Sequence, residues 1–311
     1  MTSPAGGIRP ILRYHGLAAL LLILALGLTT PCRASNLFVS NGTNNTIEQF
    51  TPGGVGSVFT NTGLSNLQGL AFDSAGNLYA ASPSNNTIEK FTPGGVGSVF
   101  ANTGLNGPTG LAFDSAGNLY AANSGDATIE EFTLGGVGSV FASTGLSAPQ
   151  GLAFDSASNL YVASYGTNTI EKFTPGGVGS VFTNTNSPIG LAFDSAGNLY
   201  VANRDINMIE KFTSGGVGSV FANTGLNSPI GLAFDGADNL YAANYAANTI
   251  EKFTPGGVGS VFANTGLSNP TFLAFAPAPE PSTWALFAIG SVALLLAKRP
   301  ARNVTLRSTL L

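Results

Sequence analysis

Residues 77–117 read NLYAASPSNNTIEKFTPGGVGSVFANTGLNGPTGLAFDSAG, and most of the chain repeats this 41-residue unit. The tripeptide Asn-Leu-aromatic begins at Asn36, Asn77, Asn118, Asn159, Asn198 and Asn239, with successive spacings of 41, 41, 41, 39 and 41. A fixed period of this size marks a repeat architecture, and roughly 40–45 residues make one four-stranded propeller blade.

Each unit carries four short strand signals bounded by turn chemistry. In the quoted unit these are Leu78-Tyr79-Ala80-Ala81, Thr87-Ile88-Glu89-Lys90-Phe91, Gly97-Ser98-Val99-Phe100 and Gly110-Leu111-Ala112-Phe113. Thr92-Pro93-Gly94-Gly95 joins two of them. Proline second and glycine third predict a type II turn, with the positive φ on Gly94. Side chains alternate across a strand, so Leu and Phe of Gly-Leu-Ala-Phe face one way and Gly and Ala the other. Alternation of large and small residues suits the crowded centre of a propeller, which places this strand innermost and Gly-Ser-Val-Phe outermost. The inner strand recurs at Gly69, Gly110, Gly151, Gly190 and Gly231, and in altered form at Phe272. Six of each strand type predict an all-β fold, a six-bladed β-propeller over 35–276. The first unit has no inner strand before it and the last inner strand has no unit after it. Together they predict one blade shared by both ends of the array, a closure that would also hide sheet edges. Burial of the repeated Phe50, Phe59 and Phe72 positions, at about 2 kcal/mol or more each, supplies a core without staples.

Composition removes several function classes. Charged residues are 9% of the chain and hydrophobic residues 44%, which with strict periodicity indicates a folded array rather than disorder. Within 36–276 five basic residues (Lys90, Lys172, Arg204, Lys211, Lys252) face fifteen acids, a net of −10. Nucleic-acid binding needs the opposite sign. The one cysteine, Cys32, and the one histidine, His15, both precede the repeats. The array therefore has no disulfide, no His or Cys metal ligand, and no Ser-His or Cys-His pair. No cofactor is implied.

The ends read as targeting segments. Residues 1–34 have Arg9 and Arg13 ahead of an apolar stretch over 17–28, then Cys32-Arg33-Ala34. That is the pattern of a signal peptide cleaved after Ala34. A membrane anchor is the alternative, although twelve apolar residues are few for a span. After a short linker, residues 277–302 hold Pro279-Glu280-Pro281-Ser282-Thr283, an apolar run over 284–297, and Lys298, Arg299 and Arg302. This predicts a hydrophobic transmembrane helix with its cationic end cytoplasmic, within a segment that is cut after sorting. Residues 303–311 form a short tail.

The repeats resemble the NHL-type propeller family and its six-bladed relatives, including gluconolactonase-like and streptogramin-lyase-like proteins. The resemblance rests on Gly-Leu-Ala-Phe-Asp-Ser-Ala-Gly-Asn-Leu-Tyr-Val-Ala at 190–202. NHL units usually carry Asp after Tyr-Val-Ala and Arg before Ile. Here Asn123, Ser164 and Asn203 take the first place, and Thr169 and Met208 the second. The tail resembles the PEP-CTERM sorting signal of Gram-negative envelope proteins: Pro279, Glu280 and Pro281, an apolar helix, then basic residues. That resemblance implies an exosortase-type processing partner cutting near 279–281, transient anchoring in the inner membrane, and delivery to the cell envelope, surface or extracellular matrix.

Candidate sites divide by whether the copies agree. The Asp closing each inner strand (Asp73, Asp114, Asp155, Asp194, Asp235) could form a ring of carboxylates or a calcium site, but Asp-Ser-Ala-Gly is first an Asx turn. The repeated Glu-Lys reads as structural, and Glu130-Glu131 breaks it. The copies differ in the loop after Tyr-x-Ala and in the residue before the inner strand. Propeller geometry puts those two places on one face. The loops offer Asp126, Tyr165, Arg204, Asp205 and Tyr245. The pre-strand residues are Gln68, Thr109, Gln150, Ile189, Ile230 and Thr271. Tyrosines beside an Arg-Asp pair suit stacking on a sugar, which selects Gln68, Gln150, Tyr165, Arg204, Asp205 and Tyr245 as ligand-binding candidates. No catalytic or metal residue is selected. The expected role is a non-catalytic interaction module for exopolysaccharide or a surface protein. The alternatives are a propeller hydrolase or lyase using channel carboxylates, and a structural coat protein without a small ligand.

Overall fold

The structure, a computed structural model, describes residues 35–277. The expected signal segment with Ala34, and the sorting motif Pro279, Glu280 and Pro281 with its apolar run, lie outside the described residues. Within them the chain forms six four-stranded antiparallel sheets arranged as a six-bladed propeller. Blade 3 is representative: Pro108–Phe113 innermost, then Leu119–Asn123, Thr128–Phe132 and Gly138–Ala142. In blade 1 the innermost strand is Pro270–Phe275, which pairs with Leu37–Asn41 in the register Leu37↔Phe275 and Val39↔Leu273. Thr46–Phe50 and Gly56–Thr60 complete that blade. The two ends of the array thus share one sheet, as the repeat register predicts.

Closure joins the two ends of the array but does not hide the outer edges. Gly56–Thr60 and its five counterparts remain terminal strands, and they leave Val58, Val99, Val140, Val181, Val220 and Val261 more than half exposed around the rim. Blades stack face to face, so ring closure cannot cover strands at the circumference.

Blades are fastened to one another by an aromatic trio used six times. Tyr79 of blade 2 meets Phe100 of its own outer strand at 4.9 Å and Phe113 of the next blade's inner strand at 5.0 Å, both edge to face. Phe38, Tyr120, Tyr161, Tyr200 and Tyr241 repeat the arrangement. Edge-to-face pairs add about 0.5–1.5 kcal/mol each beyond area burial. Around them, Ile88 and Ala101 of blade 2 pack with Leu111, Leu119 and Phe132 of blade 3 in one continuous core. The core therefore lies between blades rather than at the axis.

In Thr92-Pro93-Gly94-Gly95 the positive φ falls on Gly95 (φ 80) and not on Gly94. Gly95 N–H donates to the Thr92 carbonyl and Thr92 N–H to the Val96 carbonyl. This is a type I turn followed by a left-handed glycine, a three-residue hairpin loop, rather than type II. Gly95 also lies against the preceding blade, where a Cβ would stand 3.2 Å from the Phe59 carbonyl oxygen. The inner strands begin at proline, two residues before the glycine, except in blade 2. There Leu67 replaces proline and the strand shrinks to Leu70–Phe72, beside the blade that carries Phe272 in place of glycine.

The inner glycines permit the blades to meet. A Cβ at Gly231 would lie 2.5 Å from the Thr271 carbonyl oxygen and 2.7 Å from the Phe272 Cα, both backbone atoms that cannot swing aside. Gly231→Ala is expected to cost about 2–3 kcal/mol, as overpacking does. Gly53→Ala, whose Cβ would meet nothing nearer than Thr51 Oγ1 at 4.0 Å, should change stability by less than about 0.5 kcal/mol. Urea unfolding of both variants checks the contrast.

Candidate functional site

The two ends of the propeller axis have different chemistry. At the end where inner strands finish, the repeated Asp, Tyr and Lys form structural stations. Asp73 accepts hydrogen bonds from Ala75 N–H (3.0 Å), Asn77 N–H (2.8 Å) and Asn77 Nδ2 (2.7 Å). Lys90 Nζ lies 3.6 Å from the same carboxylate and 5.0 Å from the Tyr79 ring centroid. Lys172–Asp155–Tyr161, Lys211–Asp194–Tyr200 and Lys252–Asp235–Tyr241 repeat the station. Burial works against ionisation of Asp73, Asp155, Asp194 and Asp235, yet the asparagine and backbone donors and the lysine outweigh it. All four sit below the usual aspartate range. These carboxylates are spent on turns and ion pairs, which is the Asx-turn reading.

Blade 3 departs from this scheme. Glu131 takes the lysine position, and Tyr120 then faces two carboxylates. Burial first, then Glu131 and Asp114, push its hydroxyl well above the usual phenol range. Glu130 and Glu131 are not a functional pair, because neighbours in a strand point to opposite faces. Glu130 belongs instead to a series of buried glutamates with Glu48, Glu89, Glu171 and Glu251. Burial raises Glu48, Glu130 and Glu251 above the ordinary glutamate range, with Asp126 adding to the effect at Glu130.

At the opposite end, two rings of side chains surround the channel mouth. The inner ring is the pre-strand set Thr271, Gln68, Thr109, Gln150, Ile189 and Ile230, taken from blade 1 to blade 6. The outer ring is the first residue after each second strand: Gly42, Pro83, Ser124, Tyr165, Arg204 and Tyr245. Both rings are graded. Blades 1–3 contribute small outer residues and polar inner ones, whereas blades 5 and 6 contribute isoleucines backed by Arg204 and Tyr245. A cavity of about 300 Å³ occupies the mouth, lined by Gln68, Gln150, Arg204 and Tyr245 together with Asn66, Thr109, Ser124, Ile189, Ile230 and Thr271.

The structure therefore brings four of the six sequence-selected residues onto one cavity and places the other two beside it. Tyr165 packs with Tyr245 against Ile189, Ile230 and Phe272. Its hydroxyl donates to Asp205 Oδ2 at 3.1 Å, and the Ser187 hydroxyl donates to the same oxygen at 2.9 Å. Arg204 lies over the Tyr245 ring, 5.6 Å from its centroid. Thr109 and Thr271 spend their hydroxyls on channel-wall carbonyls. Sequence reasoning missed Asn66, Pro83, Ser124 and Phe272. Pro83 and Ser124 occupy the register of Tyr165, Arg204 and Tyr245, so alignment of the units contained that signal.

A second cavity, about 350 Å³, lies between the stations of blades 4 and 5 and is lined by Asp155, Lys172 and Asp194 among others. Its charged groups already pair with one another or with Lys211, so the smaller mouth cavity is the better candidate. Among the described residues no group of three or more His, Cys, Asp or Glu side chains is placed to hold a metal ion.

The sequence matches no family model and no curated protein. Solved structures share the fold. A chain in the crystal structure of a nidogen/laminin complex aligns with a TM-score of 0.72 at 22% identity, over 78% of this chain and 99% of that one. Virginiamycin B lyase from Staphylococcus aureus aligns at 0.62 and 17% identity, over 80% of this chain and 93% of that one. A catalytically inactive His→Ala variant of that lyase, with quinupristin, gives 0.61 and 17% over 79% and 94%. At these identities the likeness is one of fold: this is a six-bladed propeller with four-stranded blades, with nidogen-type and streptogramin-lyase propellers as neighbours.

The electrostatics predict a two-limbed pH profile. A glutamate whose folded pKa is raised binds its proton sooner in the folded state. Stability should therefore rise as pH falls from neutral toward about 4.5, through Glu48, Glu130 and Glu251. The lowered aspartates contribute above their unfolded pKa of about 3.9, and that contribution is lost as pH falls below it. Thermal unfolding from pH 3 to 8 should peak in mild acid, with Glu251→Gln flattening the upper limb and Asp194→Asn the lower. Separately, Glu131→Lys should complete the blade 3 station. An ion pair and a cation–π contact at partly exposed positions together add about 1 kcal/mol, visible as a melting temperature about 2–4 °C higher.

Proposed function

We propose that this propeller is a non-catalytic binding module whose channel mouth takes a saccharide, within an exported protein held at the cell envelope or in the extracellular matrix. The observation that carries the reading is the convergence of Gln68, Gln150, Arg204 and Tyr245 on one cavity, with Tyr165 packed beside them. Copies that are nearly identical elsewhere differ there, and they differ toward aromatic, amide and guanidinium groups. A half-buried tyrosine presents an apolar face to sugar C–H groups, and amides match hydroxyls as both donors and acceptors. The apolar arc with a few convergent polar groups is the general form of a small-ligand site.

Export and sorting rest on the terminal motifs: the cleavage position after Ala34, and Pro279-Glu280-Pro281 for an exosortase-type enzyme. Exopolysaccharide is the favoured partner and a surface protein the other. A lyase function finds less support. The lyase neighbour is described as inactive when a histidine becomes alanine, and the one histidine of this chain, His15, precedes the propeller.

The purified full chain, titrated with oligosaccharides released from matrix polysaccharide, should show a thermal shift. At about 100 times Kd the stabilisation is about 2.7 kcal/mol. Tyr245→Ala should lose the shift while keeping the unliganded melting temperature within a few degrees. No shift with any saccharide fraction, or an undiminished shift in Tyr245→Ala, would turn the assignment toward a coat protein or a protein partner.

A further inference from the structure

We propose that the mouth is built for a sugar acid: a terminal or branch pyranose whose carboxylate is bound by Arg204. This rests on the saccharide reading of the mouth and adds its charge.

The cations of the propeller are unequally used. Among the described residues the four lysines are each in an ion pair with a station aspartate at 3.2–3.7 Å. Arg204 is the fifth cation, and it has no carboxylate within ion-pair distance and no side-chain hydrogen bond there. It is also the one charged side chain lining the mouth cavity. An array with a net charge of −10 thus turns a single positive group toward this opening. The adjacent Asp205 is not ion-paired with it; that carboxylate accepts from the Tyr165 and Ser187 hydroxyls instead. The Arg204 Cζ lies 5.6 Å from the Tyr245 ring centroid, and its guanidinium N–H donors are unused among the described residues. A planar fork of donors matches a carboxylate with two parallel bonds.

The surroundings set the rest of the ligand. Ile189, Ile230 and Phe272 with Tyr245 form an apolar arc for the C–H face of a pyranose ring. Gln68 has no side-chain hydrogen bond among the described residues, and Gln150 uses only its Nε2, on the Ala148 carbonyl. Both amides can take ring hydroxyls. About 300 Å³ is at the small end for ligand cavities, enough for one or two sugar rings. Residues Tyr165, Arg204 and Tyr245 wall one side. Gly42, Pro83 and Ser124 stand low on the other, so the remaining chain leaves across blades 1–3.

Calorimetric titration of the purified full chain with a tetrasaccharide ending in glucuronate, and with the same tetrasaccharide after carboxyl reduction, tests the assignment. The acid should bind at least tenfold tighter than the neutral form, and the difference should shrink on going from 50 to 500 mM salt. Arg204→Gln should abolish the difference, lowering affinity for the acid at least tenfold more than affinity for the neutral sugar, while Arg204→Lys keeps part of it. Equal affinity for acid and neutral forms, lost in Tyr245→Ala, would overturn the sugar-acid proposal and leave the saccharide reading standing. Failure of both to bind, or binding insensitive to Tyr245→Ala, would remove the saccharide reading itself. A glutamate-rich peptide displacing the glucuronate probe at equal concentration would assign the arginine to protein rather than sugar.

Discussion

The structure depends on how closely one blade can approach the next. Each interface is an aromatic residue of the second strand held between two phenylalanines, one from its own outer strand and one from the following inner strand. That contact bridges blades, so no unit can bury its own core and none is stable alone. At the axis the same approach brings backbone to backbone in five of the six inner strands, where only glycine leaves room for it. Six repeats satisfy both demands together when the ring closes through blade 1.

Closure has a local consequence. Phe272 stands where the other inner strands have glycine, and its ring joins Ile189 and Ile230 in the channel. Its amide donates to the Ser40 hydroxyl at 2.9 Å, and Thr271 donates to the Leu67 carbonyl across to blade 2. Side-chain hydroxyls thus replace part of the close packing that glycine gives elsewhere. Blade 2 answers with Leu67 and a shortened inner strand.

Sixfold repetition also separates scaffold from site. At the strand-finishing end, Asp, Tyr and Lys are spent on one another four times over, and what varies there (Glu131 at Tyr120) leaves a station incomplete rather than creating a site. At the mouth the satisfaction is only partial: Tyr165 and Ser187 bond Asp205, and Thr109 and Thr271 bond carbonyls. Gln68 and Arg204 keep unused donors, and the grading from Gly42 to Tyr245 breaks the symmetry. A repeat protein can specify a ligand only through such departures, because identical positions on six blades present the same chemistry in every direction.

Much of this was legible beforehand for a simple reason. Period, strand alternation and the missing inner strand at the start are local or arithmetic properties, so blade number, strand order and closure could be read from 36–276 directly. The aspartates could be assigned to turns because Asp and Gly occur together in one tetrapeptide. Other features depended on neighbours distant in the chain. Gly95 rather than Gly94 takes the positive φ, in a turn seated against Phe59 of the previous blade. The valines of the outer strands stay exposed because stacking covers faces and not the rim. Lys90 is tied to Asp73 and Tyr79 by strand pairing that the sequence does not display. The pairing of Tyr165 with Asp205, and of Arg204 with Tyr245, joins residues about 40 positions apart. Sequence by itself determined the architecture, since repetition writes the same instruction six times. Only the tertiary structure decided which unlike residues meet at the mouth, since that depends on how six separate loops converge around one axis.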